Sequence, residues 1–134
     1  MKRIVHSTLI FILGAVGGSL IVPAISAQVR NTNTTRLMAM DLAGWCDGKE
    51  VIVELNASSP GTSGKHYHPG HTFSYVIEGA QTVSVEGGSS KTFRAGEVFH
   101  EAPMEVSTSA GPSSIKMFTV RLLEKGKPET VRVP

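Results

Sequence analysis

The sequence predicts an all-β protein built as a small jelly-roll barrel. Its apolar residues recur in short runs with a period of two, which is typical of strands with one buried face. Turn-forming residues separate these runs about every eight to twelve positions. The chain of 134 residues contains 14 glycines, and apolar residues at helical spacing are scarce. This length suits one domain with a single core.

The N-terminal segment predicts export from the cytoplasm. Lys2 and Arg3 precede an uncharged apolar stretch from Leu9 to Val22, and small residues follow it up to Ala27. This order is that of a secretory signal peptide, which we assign to residues 1–27. The same stretch is long enough to serve instead as an uncleaved N-terminal anchor. Both interpretations place the rest of the chain outside the cytoplasm, in a periplasmic or secreted location.

The remainder divides into a linker, residues 28–35, and a globular domain, residues 36–134, that ends in an extended polar tail. Alternating or continuous apolar runs predict the strands of the domain. In chain order the predicted strands are 36–41, 51–55, a short one at 66–68, 73–77, 81–86, 91–93, 98–101, 105–108 and 115–123. Residues 58–64 are rich in serine, glycine and proline and predict a loop.

Charge argues against a nucleic-acid partner. The formal net charge is +2, and Lys2 and Arg3 account for both units. The domain therefore has no basic patch that would favour nucleic acid or an anionic membrane surface. Contact with a membrane is expected only if the leader stays uncleaved. Cys46 is the single cysteine of the sequence, so no intrachain disulfide can form.

A group of histidines marks the candidate functional site. His66 and His68 are two positions apart, so in a strand both side chains point to one face and can converge on one cation. Neutral imidazole is the commonest protein ligand for transition metals. The competing interpretation of this spacing is a pair of surface histidines in an ordinary hairpin.

The sequence around this pair resembles the first motif of the cupin superfamily, in which a His-x-His pair is followed by a glutamate and a closing glycine. His66 and His68 match the paired histidines and Gly79 matches the closing glycine, whereas Thr72 stands at the glutamate position. The second motif is matched weakly, because its histidine position falls on Ser107. The pattern looks like the small exported single-domain cupins of bacteria. The resemblance implies a cupin-type double-stranded β-helix and a divalent transition metal, which is Fe, Mn, Ni, Cu or Zn.

Because two ligands of the cupin pattern are missing, the rest of the metal site stays open. His71 would replace the glutamate if the turn at Pro69-Gly70 shifts the register by one, whereas in a regular register Thr72 faces inward. On the strand that leads to the second motif, either His100 or Glu101 points inward, but not both. His100 is thus a further candidate ligand, or a hydrogen-bonded histidine of the barrel or its rim. Glu101 and His71 are candidate catalytic proton carriers.

Two functions follow from the resemblance. The first is a metal-dependent enzyme, such as an oxygenase, decarboxylase or isomerase, that acts on a small-molecule substrate. The second is a non-catalytic binding or sensing protein that holds a small-molecule ligand in an apolar pocket, with weak metal binding or none. The resemblance also implies a homodimer, formed by exchange of edge strands from residues 29–35 and the tail without involvement of Cys46.

Overall fold

The computed structural model describes residues 32–44 and 46–134, and all regular elements in this part of the chain are strands. The predicted leader lies outside the described residues. The ten strands are β1 (Thr32–Asp41), β2 (Lys49–Ser58), β3 (Gly61–Tyr67), β4 (His71–Glu78), β5 (Ala80–Val85), β6 (Ser90–Arg94), β7 (Val98–Glu101), β8 (Ser107–Gly111), β9 (Ile115–Glu124) and β10 (Val131–Arg132). Among the described residues, none belongs to a helix that could cross a membrane.

The strands form two antiparallel sheets of five. One sheet has the order β1-β2-β9-β4-β7 and the other has the order β10-β3-β8-β5-β6. The long strands β2 and β9 pair along their whole length, from Lys49↔Glu124 to Ser58↔Ile115. Because β3 and β8 lie in the opposite sheet from β2, β4, β7 and β9, the chain crosses repeatedly between the sheets, as in a jelly roll. The predicted all-β jelly-roll barrel is confirmed.

The interior of the barrel differs in composition from one end to the other. At one end Val76, Val83, Phe99 and Ile115 form a buried apolar cluster. Farther along the strands the inward positions hold buried polar groups, including Glu54 on β2, and the buried apolar residues Ile52 and Leu123 lie beyond them. Side chains at alternating strand positions share a face, so the same strands contribute to both ends. The apolar end therefore supplies the core, and the polar end is free to form a site.

Two glycines are required by close approaches of the backbone. At Gly79 φ is +83°, and an added Cβ would lie 2.3 Å from the carbonyl oxygen of Ser114. At Gly70 an added Cβ would lie 2.1 Å from the carbonyl oxygen of Leu122. A side chain at either position would force the chain apart, because its Cβ would overlap a backbone carbonyl oxygen. Gly70 precedes β4, and Gly79 follows it. These glycines fix where β4 enters and leaves the sheet.

Three predicted boundaries are corrected by the structure. Strand β1 begins at Thr32, so residues 32–35 are part of the sheet and not of a linker. Strand β3 begins at Gly61, within the predicted loop, and β8 spans Ser107–Gly111 in place of 105–108. These segments are rich in serine, threonine and glycine. Their inward positions face a polar interior, so they carry no apolar alternation that would reveal them.

The tail also has a place in the barrel. Val131 pairs with Tyr67 and Arg132 pairs with His66, so β10 extends the sheet beside β3. The amide of Val133 donates to the carbonyl oxygen of Lys65 at 3.1 Å. Of the two segments expected to exchange between protomers, residues 29–35 and the tail, the described residues 32–35 and strand β10 pair with strands of the same chain.

Candidate metal centre

Strand β3 brings the two motif histidines to the polar end of the barrel. His66 is near the end of β3 and His68 follows it, and both side chains point inward while Tyr67 points away. Both imidazoles are buried, and their ring centroids lie 5.2 Å apart. The turn that follows contains Gly70, whose close contact with β9 holds this end of the chain in place. The predicted convergence of His66 and His68 on one face is present in the structure.

Glu101 supplies a third group from a different strand. It is the last residue of β7, and its carboxylate is buried between the two imidazoles. Its Oε2 lies 3.5 Å from Nε2 of His68, and its Oε1 lies 3.9 Å from Nε2 of His66. The choice that the sequence left open on β7 is therefore resolved: Phe99 and Glu101 point inward, and His100 points outward.

Backbone carbonyls set the proton position on both imidazoles. Nδ1 of His66 donates to the carbonyl oxygen of Gly64 at 3.0 Å, and Nδ1 of His68 donates to that of Glu129 at 2.7 Å. A carbonyl oxygen only accepts, so in each neutral ring the proton resides on Nδ1. The Nε2 lone pairs then face the carboxylate of Glu101. This arrangement of outer hydrogen bonds is the usual one around metal-binding histidines.

The pKa shifts of His66 and Glu101 favour the protonation states that can bind a metal. Burial lowers the pKa of His66 below its ordinary value of 6.5, against the opposing effects of the Gly64 carbonyl and of Glu101. Burial would raise the pKa of Glu101, but the contact with His68, the hydrogen bond from Ser107 and the positive charge that the two imidazoles carry when protonated outweigh it and lower the pKa. Near neutral pH, His66 is therefore uncharged and Glu101 is ionised, as metal ligation requires.

The geometry of the three residues fits a divalent transition metal. His66, His68 and Glu101 each offer one ligand atom, and these atoms lie within 4.8 Å of one another. A metal bound at about 2.1 Å holds adjacent ligand atoms roughly 3.0–3.4 Å apart. The observed separations of 3.5 and 3.9 Å reach this range after a small closing movement. Three acceptors that face one another in a buried site need a cation or a proton between them.

Thr72 occupies the inward position that the regular register predicted for it. Its side chain is buried, and it pairs across β4 and β7 with Glu101. Side chains of directly opposed residues on one face are neighbours. The carboxylate that the cupin motif places at position 72 is thus present on the adjacent strand, opposite the threonine. The site therefore keeps a carboxylate on β7, although the motif glutamate on β4 is missing.

His71 and His100 do not reach this cluster. They lie on the outer face of the sheet, where Nδ1 of His71 is 2.9 Å from Nε2 of His100 and their stacked rings are 5.1 Å apart. The regular strand alternation through the Pro69-Gly70 turn places His71 outside, because Thr72 is inside. The predictions that His71 replaces the motif glutamate or carries protons, and that His100 is a ligand, are corrected by this placement.

Ser107 stands where the second motif has its histidine. It is buried, pairs with His66 across β3 and β8, and donates from Oγ to Oε1 of Glu101 at 2.7 Å. A serine is too short to replace an imidazole as the fourth ligand, but its hydroxyl orients the carboxylate. The smaller side chain also leaves room beside the cluster. The cluster therefore offers three residues that could hold a metal ion, His66, His68 and Glu101, and it has an open side.

An ion pair forms the wall of the site next to His68. Nε of Arg121 donates to Oε2 of Glu54 at 3.0 Å, and Nη1 of Arg121 donates to Oγ1 of Thr72 at 3.1 Å. The same Nη1 lies 3.0 Å from Nδ1 of His68. Glu54 is almost completely buried, so its charge requires the guanidinium. Arg121 thus holds Glu54 and Thr72 together at the mouth of the barrel.

The cluster opens into a cavity of about 320 Å³. The cavity is lined mainly by hydroxyl, amide and charged side chains from both sheets. They include Thr32, Thr34, Asn56, Ser58, Ser63, Gln81, Ser109, Thr119, Glu129 and Arg132, with Met117 and Phe99 toward the apolar end. The predicted apolar pocket is therefore wrong in its character, because the inward strand positions around the histidines are polar.

Glu54, Arg121 and Glu129 are site residues that the sequence did not reveal. Glu54 lies between Ile52 and Asn56 on the inward face of β2. A charged residue at an inward position of a strand is unusual. The alternation of β2 could therefore have identified Glu54 as a candidate site residue from the sequence. Glu129 belongs to the tail, where no pattern predicts a position inside the barrel.

The comparisons with known proteins support the fold. No protein-family model matches the chain, and no curated protein matches it. A cupin superfamily protein from Desulfitobacterium hafniense is 15% identical, with a TM-score of 0.57 over 75% of this chain and 84% of the other. A cupin-like protein from Thermotoga maritima is 20% identical, with a TM-score of 0.57 over 77% and 76%. The chain therefore has the fold of the cupin superfamily.

An oxalate oxidase is also similar in structure. It is 24% identical, with a TM-score of 0.55 over 77% of this chain and 55% of its own. At this identity the likeness concerns the fold alone, since one fold supports many activities.

Proposed function

We propose that the protein is a metal-dependent enzyme that binds one divalent transition metal through His66, His68 and Glu101 and acts on a small polar molecule. One observation carries this proposal. The Nε2 atoms of two buried imidazoles and a buried carboxylate face one another, while carbonyl groups bind both Nδ1 atoms. Nothing in ordinary core packing requires three acceptors at one point.

The ligand set suits Fe, Mn, Ni, Cu or Zn. Two imidazoles and one carboxylate with open positions are a mixed nitrogen and oxygen set that these metals share. When bound, the metal would supply Lewis-acid or redox chemistry to a molecule in the cavity. The hydroxyl of Ser107 would orient the carboxylate of Glu101. The carbonyl oxygen of Gly64 would orient the ring of His66, and that of Glu129 would orient the ring of His68.

The cavity favours an oxygen-rich substrate with few carbon atoms. Its volume of about 320 Å³ is near the lower end of the range for small-molecule sites. Its hydroxyl and amide side chains match the hydrogen-bonding groups of hydroxy acids, oxo acids or small sugars. Because Glu54 offsets the charge of Arg121, the wall beside His68 contributes no net positive charge. Arg132, at the cavity rim, is the cation best placed to meet a substrate carboxylate.

Glu129 is the proposed proton carrier, in place of His71. Burial is the largest cause that raises its pKa, followed by the hydrogen bond and negative charge of Glu54. Its Oε2 lies 4.0 Å from Nε of Arg121, at the cavity wall. A carboxyl group with a raised pKa can hold a proton closer to neutral pH than an ordinary glutamate. Glu101 is assigned to the metal and not to proton transfer.

The leader supports a location outside the cytoplasm in a bacterium. The positive n-region, apolar stretch and small residues before Gln28 motivate this part of the proposal. The exported protein should begin within one or two residues of Gln28. Intact-mass measurement of the protein recovered from the periplasm or medium tests this directly, and retention of the leader in a membrane fraction would contradict it.

The enzymatic proposal is tested with a panel of small hydroxy and oxo acids. Metal-loaded wild-type protein is incubated with each acid, and products are identified by mass spectrometry. Turnover that disappears in Glu101→Gln but survives in His71→Ala would support the proposal. Saturable binding of an acid without any product would contradict the enzymatic part and favour the binding or sensing function. Ligand binding is followed by calorimetry in the same samples.

A further inference from the structure

The C-terminal tail forms part of the wall of the metal centre. Residues 129–134, which we call the docked segment, follow β9 after a turn that contains Gly126. Three residues of the docked segment, Glu129, Thr130 and Arg132, line the cavity into which the cluster opens. The last residues of the chain therefore belong to the same site as the strands of the barrel.

Short contacts hold the docked segment against the barrel. Strand β10 contains two residues and pairs with β3 at one edge of its sheet. Beyond it, the amide of Val133 donates to the carbonyl oxygen of Lys65 at 3.1 Å. Nη1 of Arg132 donates to the carbonyl oxygen of Ser63 at 2.6 Å. A short edge strand opens at a lower free energy than long paired strands such as β2 and β9, so docking of this segment is readily shifted by a ligand.

His68 joins the docked segment to the metal position. Its Nδ1 donates to the carbonyl oxygen of Glu129 at 2.7 Å, and Oγ1 of Thr130 lies 3.2 Å from the same nitrogen. The corresponding carbonyl for His66 is that of Gly64, which lies on the same strand β3. Of the two imidazoles, His68 is therefore the one whose orientation depends on the tail.

A metal at Nε2 of His68 strengthens this link. The cation withdraws electron density from the ring, so the Nδ1 proton becomes a stronger donor to the Glu129 carbonyl. The metal also excludes a proton from Nε2. In the neutral tautomer that carries this proton, Nδ1 would accept from Nη1 of Arg121, which lies 3.0 Å away, and would not donate to the tail. The metal-bound ring therefore favours the docked segment in place.

We propose that metal binding and docking of residues 129–134 are coupled, so that each favours the other. This inference rests on the proposed metal centre. By linkage, the factor by which metal strengthens docking equals the factor by which docking strengthens metal binding. Partners that hydrogen-bond a metal-binding histidine typically change metal affinity by about 10- to 100-fold, and we expect a coupling of this size. The metal-loaded chain is then the form in which the tail completes the cavity wall.

The first test measures the effect of metal on the tail. The protein as recovered from its producing cell is freed of metal, and hydrogen exchange is followed by mass spectrometry with and without Zn²⁺. Peptides from the docked segment are compared with peptides from β6. Strand β6 is a matched control, because it is the opposite edge strand of the same sheet and contributes no residue to the cluster. Calorimetry measures Zn²⁺ binding in the same samples.

Zn²⁺ is expected to slow exchange in the docked segment by about 10-fold or more and to leave β6 unchanged. Zn²⁺ that binds without slowing exchange in the docked segment, or that slows β6 equally, would overturn the coupling and leave the metal centre standing. Absence of Zn²⁺ binding would overturn the metal centre and the coupling together. Calorimetry thus distinguishes the two failures.

The second test measures the effect of the tail on the metal. A chain that ends at Pro128 lacks the docked segment, and this deletion removes one acidic and one basic residue, so the net charge is unchanged. A chain that ends at Arg132 is the matched control, because it keeps the Glu129 carbonyl and both residue pairs of β10. Circular dichroism and thermal unfolding establish whether each chain is folded.

The chain that ends at Pro128 should bind Zn²⁺ about 10- to 100-fold more weakly than wild type, whereas the control should stay close to wild type. If the shorter chain fails to fold, the exchange measurement on the whole protein decides the question. A folded chain without the docked segment that binds Zn²⁺ as tightly as wild type would overturn the proposal.

Discussion

Two pairs of histidines lie in the same part of this barrel and have opposite environments. His66 and His68 face the interior, where each Nδ1 donates to a carbonyl oxygen and each Nε2 faces Glu101. His71 and His100 face outward, where they contact each other and stack on Phe73. Within the described part of the chain, the hydrogen-bond and ring contacts of the outer pair include no carboxylate. Burial and a shared anion therefore distinguish the inner pair as the candidate ligands.

The difference between the pairs arises from position along the strands. Glu101 and His100 are adjacent in β7, and Thr72 and His71 are adjacent in β4, so in each strand one residue faces inward and its neighbour outward. A change of register by one residue would exchange the two sets. The number of histidines near a motif is therefore a poor guide to ligation, whereas the inward or outward direction of each strand position is decisive.

The largest expected effect comes from the inner pair. His66→Ala or His68→Ala should weaken metal binding by more than about 100-fold, because each variant keeps only two ligands. Changing a residue that only hydrogen-bonds a ligand typically lowers metal affinity by about 10- to 100-fold, and loss of a ligand itself should cost more. Calorimetric titration with Zn²⁺ measures this effect. Equal affinities of the two variants and wild type would show that the metal binds elsewhere.

Removal of the carboxylate charge should be the next largest effect. Glu101→Gln keeps the size of the side chain and its contact with Ser107, but it removes the negative charge that faces both imidazoles. We expect metal affinity to fall by about 10- to 100-fold. A variant that binds metal as tightly as wild type would remove Glu101 from the ligand set.

The opposed positions 72 and 101 allow a sharper test of the same group. Glu101→Thr alone should lose metal affinity, and the double variant Thr72→Glu/Glu101→Thr should regain at least part of it. The swap returns a carboxylate from the facing strand at nearly constant volume, because Thr72 and Glu101 are directly paired. Absence of any recovery in a folded double variant would argue against the proposal that the carboxylate of Glu101 replaces the one that the motif places at position 72.

Acid should weaken binding at the inner pair in a defined range. Burial lowers the pKa of His66 below 6.5, so this ring stays neutral to a lower pH than an ordinary histidine. The lowered pKa of Glu101 keeps it ionised over the same range. Metal affinity should thus be nearly constant above pH 6.5 and should decrease below it. Zn²⁺ titrations across this range test the expectation, and a steep decrease already above pH 7 would contradict it.

The smallest effect is expected for the outer pair. His71→Ala and His100→Ala should leave metal affinity within about twofold of wild type and change the free energy of unfolding by about 1 kcal/mol or less. Both side chains are exposed and contribute no atom to the inner cluster. Titration and chemical unfolding of the same samples provide both values. A large loss of affinity in His71→Ala would restore it as a ligand.

The sequence predicts the fold of this chain better than its site. The period-two runs find β4, β7 and β9 closely, and the His-x-His spacing correctly places His66 and His68 on one face. The sequence could not place Glu101, because its role depends on which parity of β7 faces inward and on the pairing of β7 with β4. Glu129 was equally hidden, since its carbonyl reaches His68 only after the tail folds against β3.

One measurement tests the central claim most directly, which is that His66, His68 and Glu101 form a metal centre. Wild-type protein freed of metal is titrated with Zn²⁺ by calorimetry at pH 7.5, about one unit above the ordinary pKa of histidine. We expect one Zn²⁺ per chain in wild type and in His71→Ala, and a loss of this binding in His66→Ala. A folded wild-type protein that takes up no metal, or that binds it equally well without His66, would contradict the claim.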